Sequence, residues 1–558
     1  MILVIDPLIS AEAGETEKIV RGVEATLLSI LPFNGQIRDV IYPYIDYVKG
    51  FEDLLIDSWP LQRLRYIYQL QTAHFVYPSA THTRFNHSIG VMHYSYKFLI
   101  QLLRNSKESI QSEKYRRELM NHYRELVVAT RILGLIHDIG HGPFSHAFDD
   151  YVLSKRDVLG YRIGNHEVLG YLIYRDYLRD QIIKVLKEYD RVKIDWEYVV
   201  EVLDNGMKPP HGIEPHTDLL NKNILRRDEI FTPLPENAIE NIPRLIVRDY
   251  IYTSDIIDYL LRDSYFTGLV IGNINEEWII RHTYLIQYHN LLVPAIASKA
   301  LDDLVRLLDA RIKMYKSVYF HHVNIAFKET IGLLMDCIKE EIAGIIDEMI
   351  NSPDKLEIYT KLTDHSIYGY LQNLLFKPEE IKCENKELVK QALKSLFIHR
   401  KPAWKRIYTY TCNLEKARPL FSQRFGPHFR ETVSNVLARE IALELKSKGF
   451  SEEDIRVSFN SIEVYPSATR LFFEKHLHSE LIILQVREHK PINQKPINLE
   501  EFVERQGIFP EALFIIYLNR AKYQDLSEED ITKIRELVDE ILGDAIGEKI
   551  STGAPETS

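Results

Sequence analysis

Apolar residues recur at helical spacing over most of the first 400 positions and form short continuous runs only towards the C-terminus. Residues 126 to 136, LVVATRILGLI, are apolar nearly all round, which predicts a helix buried on every side rather than one lying on a surface. From 425 to 448 a helical stretch leads to β-branched and aromatic runs at IRVSF (455–459), ELIILQV (480–486) and ALFIIYL (512–518), which read as strands. LSEEDITKIRELVDEIL then reads as a last helix with Ser527 as its N-cap. The expected fold is mainly α: a helical core over 36–410 and a smaller C-terminal α+β lobe over 411–548. An N-terminal extension (1–35) and a flexible tail (549–558) flank them. The Pro-, Gly- and Asn-rich insert at 204–223 predicts a loop, with His211 and His216 as solvated loop residues.

Composition narrows the class. The 558 residues include three cysteines, Cys337, Cys383 and Cys412, far apart and without CxxC spacing, which argues against a disulfide framework or a cysteine zinc site. The opening MILVIDPLISAEAGE has no basic region ahead of its apolar stretch, and no run approaches a membrane span, so the expectation is a cytoplasmic protein without a membrane partner. A net charge of -11 argues against nucleic acid as the main partner.

Candidate chemistry concentrates where the apolar helix stops. In LGLIHDIGHGPFSH (133–146), His137 and Asp138 arrive together and His141 follows one turn later, before Gly142-Pro143 ends regular structure. A neutral imidazole beside a carboxylate suits a hard to borderline divalent cation; a helix-end histidine with a capping aspartate is the plainer alternative. Upstream, THTRFNHSIGVMHYS places Arg84 and His87 three apart on one helical face. Downstream, NHE (165–167) and SDIIDYLLRD (254–263) add His166, Glu167 and Asp255. Asp255, Tyr259 and Asp263 follow one another at spacings of four, along one helical face.

The order His87, His137-Asp138, Asp255 resembles the signature of the HD superfamily of metal-dependent phosphohydrolases. QRLRYIYQL (62–70), YPSATHTRFNHSIGV (77–91), HDIGHGPFSHAFD (137–149), NHE and IIDYLLRD (256–263) resemble successive blocks of the deoxynucleoside triphosphate triphosphohydrolases. That group includes the sterile-alpha-motif and HD-domain-containing enzymes and bacterial relatives. The likeness covers residues 36 to about 330 and thins to about 410. It implies a helical HD-domain core and one divalent ion (Mg, Mn, Fe, Ni or Zn) on His87, His137, Asp138 and Asp255. Arg84 would bind phosphate. His141, His146, Asp149, His166 and Glu167 would line the reacting triphosphate, His146 with Asp149 activating water and His166 with Glu167 protonating the leaving oxygen. Gln69, Leu70, Tyr259, Asp263 and Tyr319 would surround a deoxyribose. A homo-oligomer, dimer or tetramer, with a guanine-nucleotide effector at Asp57, Gln62 and Arg65 is also implied; on the residues alone, that trio is equally a solvated helix face.

The chain departs from the family pattern at three places. Ile256 stands where a phosphate-binding lysine is expected, Phe320 where a base-contacting glutamine is expected, and Gln71-Thr72-Ala73 replace glycines. Arg311 and Lys316, on a neighbouring helix, are candidate replacement cations. The expected activity is hydrolysis of deoxynucleoside triphosphates to deoxynucleoside and inorganic triphosphate. The alternatives are an HD phosphatase or phosphodiesterase on another nucleotide, or a nucleotide-sensing or nucleic-acid-binding protein with a secondary HD site.

Overall fold

The computed structural model describes residues 31–189, 193–209, 216–230, 239–289, 291–383, 385–426, 429–487 and 490–547. The chain enters as a two-stranded antiparallel hairpin, β1 (Gly35–Arg38) and β2 (Tyr44–Tyr47). Two long helices follow, α1 (Arg84–Ser109) and α2 (Glu113–Ile136). The first is opened by a capping box between Thr83 and Asn86, the second by Ser112, whose side chain accepts from the Tyr115 N–H. Every residue of α2 from Leu126 to Ile136 is buried, as its pattern requires. Even Arg131 lies inside, donating to Glu52 at 2.5 Å, because a buried guanidinium needs a carboxylate.

Helix α3 (His166–Ile173) is capped by Asn165, and α4 (Ser254–Thr267) by Thr253, with Gly268 in the left-handed region closing it. The mainly helical core continues with α5 (Leu301–Met314), α6 (His322–Cys337) and α7 (Asp364–Phe376). The insert expected as a loop is partly helical: 204–207 complete a helix at Trp196–Met207, and His216–Asn221 form another. Its prolines and Gly212 fall between those helices, where 210–215, including His211, lie outside the described residues, whereas Gly206 lies within the first helix. Contrary to the cysteine-spacing argument, Cys337 and Cys383 form a disulfide. They are 46 residues apart, and only the packing of α6 beside the helix at Lys386–Lys394 brings them together.

Of the three C-terminal strands expected from sequence, β6 (Ile455–Ile462) and β9 (Glu511–Asn519) share a sheet with β5 (Trp404–Asn413), in the order β5-β9-β6. The strand β7 (Glu480–Arg487) belongs elsewhere. With β8 (Lys490–Asn498) it extends the core hairpin β3 (Thr283–Tyr288) and β4 (Leu291–Ala297), pairing parallel with β4 through Ile296–Ile483 and Ala297–Leu484. The β5-β9-β6 sheet and the last helix, α8 (Glu528–Ile546, N-capped by Ser527), bury their own apolar cluster around Phe421, Leu437, Phe514 and Val538. No helix among the described residues is long and apolar enough to cross a membrane.

Candidate active site

Helices α1, α2, α3 and α4 bring their polar ends to one cavity of about 510 Å³. The loop leaving α2 lies tight against α3. A Cβ at Gly140 would sit 1.9 Å from the His166 carbonyl oxygen, so this approach requires glycine. Beyond it, Phe144 and Ser145 both hold left-handed backbone, with φ of 58° and 51°. Asp364 holds that turn by accepting from the Phe144 N–H at 2.6 Å, and the Ser145 hydroxyl bridges from the Arg84 Nε to the Tyr68 carbonyl. Backbone strain fixed from several sides is characteristic of functional loops.

Within this frame His87, His137 and Asp138 offer ligand atoms all within 4.8 Å of one another. Asp255 Oδ1 stands 3.0 Å from His87 Nε2 and 3.8 Å from His137 Nε2. The His137 Nδ1 lies 2.9 Å from the Gly134 carbonyl, which can only accept, so this nitrogen carries the proton. The Nε2 lone pair is thereby aimed at the carboxylates, and that atom is buried without a hydrogen-bond partner. A ligand shell explains such an orphan. Donors on one ion at about 2.1 Å stand about 3.0–3.4 Å apart, close to the spacings seen. Burial alone would lower the His87 pKa, but the Asp255 and Asp258 carboxylates on its two nitrogens push it up to about 10. Burial would raise Asp138, yet His137, Arg84 and His141 together hold it well below the usual carboxylate range.

A second group, His141, His146, Asp149 and His166, packs beside the first. The His141 and His166 rings stack with centroids 3.5 Å apart. Burial, reinforced by Arg84 and His166, pushes His141 well below its ordinary value and leaves it neutral. Asp149 receives both of the other rings: His166 Nδ1 at 2.7 Å and His146 Nδ1 at 3.2 Å. Burial works against charge on both partners of the His166–Asp149 pair, and their mutual attraction outweighs it, raising His166 and lowering Asp149. The direct hydrogen-bond partner of His166 is Asp149 and not the expected Glu167, which acts on that ring through its charge. Adjacent residues at the start of a helix point apart, and Glu167 instead accepts from Arg248 Nη2 at 2.5 Å.

Most of the remaining expected residues are gathered too. Gln69, Leu70, Arg84, Tyr259, Asp263 and Tyr319 all line the cavity. Asp263 accepts from the Tyr319 hydroxyl at 2.6 Å and from His82 Nε2 at 2.8 Å. Arg84 donates to Asp138 at 2.6 Å. Of the two replacement cations, Arg311 reaches the cavity, buried and donating to the Tyr259 hydroxyl at 3.0 Å, whereas Lys316 turns outward to Glu511. Ile256 and Phe320 also line the wall. Asp57, Gln62 and Arg65 do not; they lie at the surface, where Gln62 Oε1 accepts from Arg65 Nε at 2.8 Å.

Among the contributions that escaped the sequence reading are Arg248, Lys328, Asp258, and a wall from the C-terminal region formed by Ser461, Glu463 and Pro466. The Glu463 carbonyl receives Arg311 Nη1, and its carboxylate is held by Arg418 and Arg470. Arg248 had one visible trace, a charged pair RD interrupting the apolar run LIV just before the Asp255 block.

Residues 84–220 match the HD domain family, and His87, His137 and Asp138 of the buried cluster lie within that match, which supports a metal-dependent phosphohydrolase. Among curated proteins the chain is 25% identical over 461 residues to the "Deoxynucleoside triphosphate triphosphohydrolase SAMHD1 homolog" of Dictyostelium discoideum, covering 76% of this chain and 77% of that protein. It is 26% identical over 400 residues to the human "Deoxynucleoside triphosphate triphosphohydrolase SAMHD1", covering 68% of this chain and 56% of the human one. It is 31% identical over 285 residues to an uncharacterized protein of Methanocaldococcus jannaschii, covering 51% of this chain and 46% of that one. Several of these relatives are thus matched over less than two thirds of their length. A crystal structure of a hypothetical protein from Aquifex aeolicus shares the fold, with a TM-score of 0.55 and 22% identity over 88% of this chain and 98% of that one.

Proposed function

We propose that the chain hydrolyses deoxynucleoside triphosphates to deoxynucleoside and inorganic triphosphate. The observation that carries this reading is that one cavity joins His137, Asp138 and Asp255, with His87 packed against the two carboxylates, to the Tyr319–Asp263 pair. His87, His137, Asp138 and Asp255 would hold one divalent ion. Bound there, such an ion polarises a phosphoryl group and lowers the pKa of water.

The protein's own groups supply the rest. Arg84 and Arg311 place guanidinium charge at the cavity for phosphate oxygens, a task suited to planar, forked donors. His166, whose pKa is raised by Asp149, donates a proton to the leaving oxygen. His146, sharing the same carboxylate and with a side chain 57% exposed, meets incoming water. Asp263 retains acceptor capacity for a sugar 3'-hydroxyl, and the rings of Tyr259 and Tyr319 would pack against a deoxyribose and exclude a 2'-hydroxyl. In the same reading the enzyme works in the cytoplasm as a homo-oligomer, with Asp57, Gln62 and Arg65 receiving a guanine-nucleotide effector between subunits.

The deciding experiment incubates the protein with each dNTP, each NTP and cyclic dinucleotides, in Mg²⁺ or Mn²⁺, and separates the products by chromatography. Deoxynucleoside with intact triphosphate, from dNTPs alone, is the expected result. Stepwise release of monophosphate, or equal turnover of ATP and dATP, would replace the proposal with a general nucleotide phosphatase.

A further inference from the structure

We propose that Asp258, Arg262 and Asp39 form a buried positioning relay that fixes the metal-facing nitrogen of His87, so that the N-terminal hairpin, outside the HD-domain match, helps to set metal affinity. The inference rests on His87 being a ligand.

The chain of contacts is continuous. His87 Nδ1 lies 2.8 Å from Asp258 Oδ2, and an ionised carboxylate only accepts, so Nδ1 bears a proton; Nε2 faces Asp255 and Asp138, and an ion bound there would take the place of the proton that Nε2 shares with Asp255. Asp258 is gripped in turn by Arg262, one turn along α4, through Nε at 2.9 Å and Nη2 at 3.0 Å. The other side of the same guanidinium holds Asp39 at 2.8 and 3.3 Å. Asp39 is itself fixed in the turn between β1 and β2, where its Oδ1 accepts from the N–H groups of Ile41 and Tyr42 at 2.9 and 3.0 Å.

Burial makes this arrangement more than an incidental ion pair. The side chains of Asp258 and Arg262 are 0% exposed, His87 1% and Asp39 7%. A buried ion pair is weak evidence for stability, since apolar residues of similar volume often serve as well, so its presence calls for another role. The packing is also built around it. Gly90 lies three residues after His87 on α1, and a Cβ there would stand 2.0 Å from Asp258 Oδ1 and 2.4 Å from Arg262 Nη2. The two expected histidine ligands therefore differ: His137 gives its Nδ1 proton to a neutral carbonyl, His87 to an anion. A carboxylate behind a ligating imidazole fixes its tautomer and raises its basicity, and losing such a partner costs about 10- to 100-fold in metal affinity.

The test measures affinity for Mn²⁺ and Co²⁺ by competition with a chelator, together with the visible spectrum of the Co²⁺ form and the melting temperature. Asp258→Asn should weaken binding by about 10- to 100-fold and alter the Co²⁺ spectrum. Asp39→Asn, further from the site, should weaken it in the same direction by less. Glu52→Gln is the control: it disturbs a different buried pair, with Arg131, and should lower the melting temperature while leaving affinity unchanged. A folded Asp258→Asn with wild-type affinity overturns the relay. If that variant does not fold, Asp39→Asn decides, and unchanged affinity there overturns it. Equal weakening by Glu52→Gln overturns it as well, because the effect would then be general loosening. Wild-type protein that binds neither ion overturns the metal-site reading itself, and the relay with it.

Discussion

The Asp149 carboxylate binds His166 through Nδ1 at 2.7 Å and accepts from the backbone N–H of the same residue at 3.0 Å, so one aspartate fixes both the ring and the start of its helix. The ring is pushed towards its charged form by Asp149 against the opposing effect of burial. A histidine with a raised pKa loses its proton only as pH climbs through that raised value. We therefore expect kcat to fall as pH climbs through the His166 pKa, and Asp149→Asn to move the fall to lower pH. His166→Ala should cut kcat by about 10²-fold or more with metal content unchanged. A pH profile of kcat with elemental analysis checks both; loss of metal in His166→Ala would make that histidine a ligand.

Metal retention should depend on the other cluster. His137→Ala and Asp138→Ala each remove a donor from the buried group, and we expect purified variants to hold far less than one divalent ion per chain. Elemental analysis after dialysis against a chelator, beside the wild type, reads this directly. Stoichiometric metal in both variants would place the ion elsewhere.

Sugar discrimination should reside in Tyr319 and Asp263. Removing the hydroxyl in Tyr319→Phe unties a 2.6 Å bond to a carboxylate that is 1% exposed, freeing it to shift. The expected outcome is a ratio of dATP to ATP turnover, as kcat/KM, that falls by about 10-fold or more, with the decline coming from the deoxy substrate. An unchanged ratio would remove the pair from substrate recognition.

The parts of this site legible in sequence were those packed into short ordered blocks. His137, Asp138 and His141 fall in five consecutive positions at the end of an all-apolar helix, and a polar cluster carried into a core announces itself. Asp258 and Arg262 did not, because a charge four residues from an opposite charge on a helix looks the same whether it faces solvent or a buried histidine. The left-handed backbone at Phe144 and Ser145 was also hidden: Gly142-Pro143 signals that a helix stops, not how the next turn is held. Strand identity was legible in IRVSF, ELIILQV and ALFIIYL, but the partner of β7 was not, since register and sheet membership depend on where β4 arrives from almost 200 residues upstream.

Stability should depend on pH through Asp364. Its carboxyl is fully buried, and desolvation pushes it up to about 7 despite the N–H groups of Phe144 and Tyr68 that it accepts. The folded state then holds this proton more tightly than the unfolded chain does, with an ordinary value near 3.9. Its contribution is greatest below about pH 4, declines as pH rises towards about 7, and levels off above, by a few kcal/mol at most. Urea unfolding of the wild type and Asp364→Asn across pH 4 to 8 should show a decline in the wild type that is smaller in the variant. Parallel curves would mean that the carboxyl is ionised throughout.

Arg65 is exposed, yet its guanidinium lies 3.6 Å from the centre of the Phe85 ring, and Phe85 is the immediate neighbour of Arg84 in the first turn of α1. A guanine nucleotide engaging Asp57, Gln62 and Arg65 would therefore act on the residue beside a cavity-lining arginine, giving a short physical route from that surface to the site. Linkage requires that an effector favouring the assembled, active state also bind that state more tightly. We expect GTP or dGTP to shift the protein to a larger oligomer and to raise turnover of other dNTPs, and Arg65→Ala to abolish both effects while metal content stays intact. Sedimentation velocity with and without each nucleotide, run beside the activity assay, measures the two together. An unchanged oligomer with full activity on a single non-guanine dNTP would show that the trio is a solvated helix face whose arginine simply covers Phe85.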